Sequence, residues 1–195
     1  MKIIVGILAV VSVASVLWIV LLTQNVAQLE KQLQPVIARQ AMENRQQALR
    51  ERFTKRMSQD QQKYTRDQLN EAEQLYQAAS QKWGTPEAVQ GLQSMIKKYP
   101  DLDRTGCAVL YLADMSKGDE RAGYLQDCID KYTDCFYGDG VQVGAYARFL
   151  LAEDYRSAGE KEKAAALFNE IKANYAEAID HGGKLLADRI KADTN

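Results

Sequence analysis

The segment Leu92-Gln-Ser-Met-Ile-Lys-Lys-Tyr99 recurs as Leu125-Gln-Asp-Cys-Ile-Asp-Lys-Tyr132, keeping Leu, Gln, Ile, Lys and Tyr at a shift of thirty-three positions. A fainter third copy is Leu167-Phe-Asn-Glu-Ile171 followed by Tyr175. Periods in the thirties belong to arrays of helix pairs, in which each repeat buries its apolar face only against its neighbours. The echo therefore predicts an all-α chain. It also argues against catalysis, because the repeated residues are of the kind that pack.

Charge sets a further bound. Residues 1–99 carry 13 Lys/Arg against 8 Asp/Glu, and residues 100–195 carry 12 against 18. A basic front and an acidic back leave no uniformly cationic face for nucleic acid. The three prolines suit a helical chain. Cys107, Cys128 and Cys135 form no Cys-x-x-Cys, and the single histidine, His181, is distant in sequence, so a zinc site has no support. Cys128 and Cys135 would stand about 10 Å apart on one continuous helix, too far for a disulfide. The thiols are expected to be buried and free, and nothing calls for a cofactor.

Residues 1–23 are expected to form a membrane anchor. Ile3 to Leu22 contains no charge, with only Ser12 and Ser15 as polar interruptions. At 1.5 Å rise per residue this stretch matches a hydrocarbon core of roughly 30 Å. Trp18 stands where an interfacial anchor would. A cleaved signal peptide is the rival, but no small-x-small site follows the apolar run. The short tail before the span suggests a single-pass inner-membrane protein with its bulk exported, on the periplasmic side of a bacterial envelope.

A helical stalk rich in Gln and Arg is expected over residues 24–68. Leu22, Val26, Leu29, Leu33 and Val36 follow a 4-3-4-3 spacing, a short coiled-coil seam that Pro35 is expected to kink or break. Two heptads do not specify a stable dimer. The seam over 22–36 is thus either a weak self-association surface or a plain spacer. Basic residues from Arg39 to Arg66 outnumber acidic ones. They read as a solvated helical face, or more sharply as a surface for anionic headgroups or an acidic partner.

The pattern changes over residues 69–195. Leu69, Ala72, Tyr76, Ala79 and Trp83 form a helical stripe, and Gly84-Thr85-Pro86 supplies a stop, an N-cap and a first-turn proline. The next helix ends near Tyr99-Pro100. A later pair combines Leu151-Ala152 and Tyr155 with Gly159 at the turn, then Ala164 and Phe168. These residues resemble the tetratricopeptide repeat, whose first helix carries Leu-Gly/Ala-x-x-Tyr and whose second carries Ala-x-x-x-Phe. Leu75, Ala88 and Leu92 fit the same scheme in the first pair and Leu125 fits it in the middle one, while Tyr76 replaces the family's small residue. The resemblance implies an α-solenoid of about three helix pairs with a cap helix over 180–193, and a groove that takes a segment of another protein.

Between the second and third pairs lies an insertion, Phe136-Tyr-Gly-Asp-Gly-Val-Gln-Val-Gly144. Its glycines lack the Lys-Ser/Thr of a phosphate loop and no strand precedes them, so a flexible inter-repeat loop is expected. His181 has no nucleophile at a recognisable spacing. Asp114, Asp119, Glu120, Asp127 and Asp130 make an acidic face on the middle pair.

Two functions remain open. One is a membrane-anchored, non-catalytic adaptor, whose layout is similar to envelope repeat proteins linked to the Tol-Pal system or to the Sec translocon. The other is a permanent accessory subunit of a membrane enzyme or secretion complex, packed through its transmembrane helix. Both imply protein partners, in a membrane-protein complex.

Overall fold

A computed structural model describes the backbone of residues 2–192 and the side chains of Trp18 and residues 22–190. The described residues are helical, with eight helices and no strand. They run α1 (Lys2–Lys63), α2 (Arg66–Gln81), α3 (Pro86–Lys98), α4 (Asp103–Met115), α5 (Gly118–Lys131), α6 (Val143–Ser157), α7 (Lys161–Asn174) and α8 (Leu186–Ala192). Contacts divide the chain into two units, residues 1–47 and 48–195.

The transmembrane anchor is overturned: among the described residues, no helix is long and apolar enough to cross a membrane. From Leu22 onward, Glu30, Lys31, Arg39, Glu43 and many glutamines interrupt α1 too often for a span. Of the anchor residues named above, the Ile3 side chain lies outside the described residues, while Trp18 and Leu22 are both exposed. Pro35 also behaves differently from expectation. It stands inside α1, and the helix continues past it.

In the second unit, short loops pair α2 with α3, α4 with α5 and α6 with α7, and each pair packs on the next. Local chemistry sets the helix starts. Thr65 and Gln68 form a reciprocal capping box on α2, and Thr85 caps α3 ahead of Pro86. Gly84, Gly118 and Gly159 take positive φ at the turns. Tyr99, Tyr132 and Tyr175 are the C-cap residues of α3, α5 and α7, each donating its amide to the carbonyl four residues back.

These tyrosines fix the repeat register. Leu92, Leu125 and Phe168 stand seven residues before them, and Met95, Cys128 and Ile171 four before; all six are buried. The third copy is therefore shifted by one from the sequence alignment, with Phe168 and not Leu167 in the leucine position. Ala88, Leu151, Ala152 and Ala164 are also buried, while Leu75 and Tyr155 are partly buried against the core. All three cysteines are free and buried.

The insertion is an ordered tight hairpin, and it occurs twice. Phe136 bridges Gln142 and Ile179 bridges Leu185, in both cases antiparallel. Tyr137 N donates to Val141 O and Val143 N to Cys135 O; Asp180 N donates to Lys184 O and Leu186 N to Ala178 O. Gly140 and Gly183 occupy the same position with positive φ. Residues 180–185 thus belong to a hairpin, and only α8, with Leu186 and Ile190 buried, remains of the expected cap helix.

Candidate functional site

The site is built where the last turns of α1, from Ala48 to Lys63, cross one edge of the stacked pairs. Leu49 is 5% exposed and clusters with Val141 and Ile179 from the two hairpins. Further along, Arg56 donates to the Asp60 carboxylate at 2.6 Å and to the Asp101 carbonyl at 2.5 Å. Lys63 then pairs with Asp101. One strap helix therefore meets both hairpins and then the start of α4. Residues 49 to 60 rise about 16 Å, close to twice the usual 8–10 Å between packed helices.

At the centre of this edge lies a chain of buried polar groups. The N-cap residue of α4 is Leu102, which has no side-chain acceptor to offer. Asp60 fills that role from α1, accepting the Asp103 amide at 2.9 Å. The Asp103 carboxylate in turn accepts the Phe136 amide at 2.8 Å. Burial pushes the Asp103 carboxyl up to about 6, despite the amide and Arg56 that favour its charged form, and burial also raises Asp60. Phe136 follows the linker Tyr132–Cys135, which passes against two helical glycines, Gly106 and Gly144.

Beside the strap opens a groove of about 330 Å³. Phe53 and Met57 of α1, Leu69 of α2 and Leu102 line it with apolar surface, beside Gln61, Arg66, Asn70 and Glu73 and the buried Asp60 and Asp103. Arg104 also lines it, donates to Glu73 at 2.8 Å and lies over the Tyr76 ring. From Tyr76 an aromatic row continues outward: Tyr111 stacks on it at 5.0 Å, and Trp83 meets Tyr111 edge-on. Trp83 remains 48% exposed at the end of the row.

No family model matches this chain, and neither does any curated protein or solved structure.

Of the residues singled out in the sequence, Leu75, Ala88, Leu92, Leu125, Leu151, Ala152, Tyr155, Ala164 and Phe168 lie in or against the two main core clusters and none lines the groove. His181 is exposed, but its Nδ1 is 2.8 Å from Asp139 and its ring packs edge-on against Tyr137 and Tyr146, tying the two hairpins together. Among the acidic residues of the middle pair, Asp114 pairs with Arg121 and Asp127 with Lys131. Phe53, Met57, Asp60 and Asp103 were missed. Phe53, Met57 and Asp60 carry one sequence signal, an apolar pair and an aspartate four residues apart or less on an otherwise charged helix, and Asp103, on α4, lies outside it.

Proposed function

We propose that this chain is a non-catalytic, tetratricopeptide-like interaction protein that holds a segment of a partner protein in the groove between its strap helix and the first two helix pairs. The observation that carries this reading is the groove's composition: apolar Phe53, Met57, Leu69 and Leu102 stand together with hydrogen-bonding Gln61, Arg66, Asn70 and Glu73. That is the anatomy of a protein-binding patch, where a buried apolar anchor is surrounded by hydrogen-bonding residues. The occupant is an apolar side chain on a partner's helix or extended segment. The aromatic row ending at Trp83 offers it further contact area.

A non-catalytic role fits the work already done by the two buried carboxylates. Asp60 and Asp103 are engaged by backbone amides and by Arg56. Residues so employed serve the fold.

A photo-crosslinking residue placed at Met57 in the full chain, in its native cells, tests the proposal. A discrete adduct should form, should disappear when Asn70→Arg fills the groove, and should not form from a control position at Lys131 on α5. Adducts that persist in Asn70→Arg, while the melting temperature is unchanged, would refute the groove as the docking site.

A further inference from the structure

The first unit presents an apolar seam that nothing in the described structure covers. Leu22, Val26, Leu29, Leu33, Val36 and Ile37 are between 45% and 61% exposed, high for side chains of this kind on one helix. The first five stand at alternating intervals of four and three residues, the a and d positions of a heptad. Pro35 falls at an outward c position, and α1 continues through it, so the proline leaves the seam intact. Ile37, at e, widens the stripe on its flank.

We infer that this seam is covered by the same seam of a second copy of the chain, in a parallel, in-register two-stranded coiled coil over residues 22–40. Three observations select that occupant. A 3.5-residue apolar period packs best against a helix with the same period, and an identical chain supplies one. Val26 at a with Leu29 at d is the combination that favours two parallel strands, and the reverse order, Leu33 at a with Val36 at d, is confined to the second heptad. The flanking e and g positions hold Thr23, Asn25, Glu30, Gln32, Ile37 and Arg39, and Arg39 faces Asn44 of the following heptad, so parallel pairing brings no like charges together.

Area fits as well. Six side chains exposed to this degree present on the order of 500 Å² per chain, so complete cover would bury about 1,000 Å² for the pair, the low end of specific interfaces. Gln40 continues the a series as a polar residue and donates to Asn44 at 3.0 Å, closing the apolar run. Beyond it, Glu43 at d is paired with Arg39 on its own helix at 2.9 Å. The seam therefore has a defined end, and the dimer is a modest one that exchanges with monomer.

Cysteine substitution in the full chain tests the inference, since the native thiols are buried. Under mild oxidation, Val26→Cys and Leu33→Cys should each form a disulfide-linked dimer. Gln24→Cys and Lys31→Cys, both at f, should not. Without cross-linking, sedimentation should show a concentration-dependent dimer that Leu29→Asp weakens by at least about tenfold. A single-chain mass at every concentration, equal cross-linking from both faces, or cross-linking only between Val26→Cys and Val36→Cys chains would overturn it. The last outcome would mean antiparallel pairing.

Discussion

The Asp60 carboxylate accepts a hydrogen bond at 2.9 Å from the backbone amide of Asp103, forty-three residues further along the chain. A helix end that lacks a capping side chain of its own is thus completed by another helix. Asp60 also holds Arg56, so one buried carboxylate ties the strap to the array.

Asp60→Ala should destabilise the protein by on the order of 3 kcal/mol, because it uncaps α4 and leaves the Arg56 guanidinium without its nearest counter-charge. Asp60→Asn, which keeps an acceptor for the amide, should cost less. Denaturant midpoints for the full-length variants check both values. A loss below about 0.5 kcal/mol for the alanine variant would show that the strap does not secure the α4 end.

Acidity should act through Asp103. Burial pushes its carboxyl up to about 6, so the folded state binds this proton more tightly than the unfolded chain does. The group's contribution is then fully present below its unfolded value, near 4, and is lost as pH rises through about 6. Asp60 is shifted in the same direction. The difference in stability between the native protein and Asp103→Asn should change by on the order of 2 kcal/mol between pH 4 and pH 7, falling as pH rises. Urea midpoints at half-unit pH steps measure it, and a difference independent of pH would rule out the titration.

Two glycines separate packing from propensity. A Cβ on Gly144 would come within 2.5 Å of Thr133 Cα, and one on Gly106 within 2.6 Å of Cys135 Cβ. Alanine at either position should destabilise by about 1–3 kcal/mol by forcing the Tyr132–Cys135 linker away. Gly123 in α5 has open space around it, so alanine there should stabilise by about 0.5–1 kcal/mol. Thermal melts of the three variants should differ in sign accordingly.

The thiols should be inert in the folded protein. Burial raises all three, Cys107 and Cys128 most strongly and Cys135 to about 12, so almost none is thiolate at neutral pH. A colorimetric thiol reagent should titrate none of them before denaturation and all three afterwards. Fast reaction in the native state would contradict the packing around Gly106 and Tyr132.

What the sequence showed and what it hid follow from range. Thr85, Pro86 and the alanines of the third pair announce themselves because capping and close helix crossing act within one or two turns. The buried Leu92 and Leu125 were legible through their period. Asp60 was not, since nothing local distinguishes a carboxylate that caps a distant helix from one facing water. The second hairpin was hidden as well: 175–185 shares little with 132–142 beyond the tyrosine and one positive-φ glycine. Residues 1–23 read as a span by composition, and the structure does not uphold that expectation.

The position of the strap has a consequence for how the chain is made. Leu49 leaves the ribosome about 130 residues before Ile179, its partner in the hairpin cluster, a wait of roughly 7–25 s at ordinary rates of synthesis. Helix pairs can form in order as they emerge, but the segment that fastens them is translated first and seated last. Until then Leu49 is open to any chaperone that meets the nascent chain, and a ribosome that stalls before the second hairpin releases a product whose strap is only partly seated.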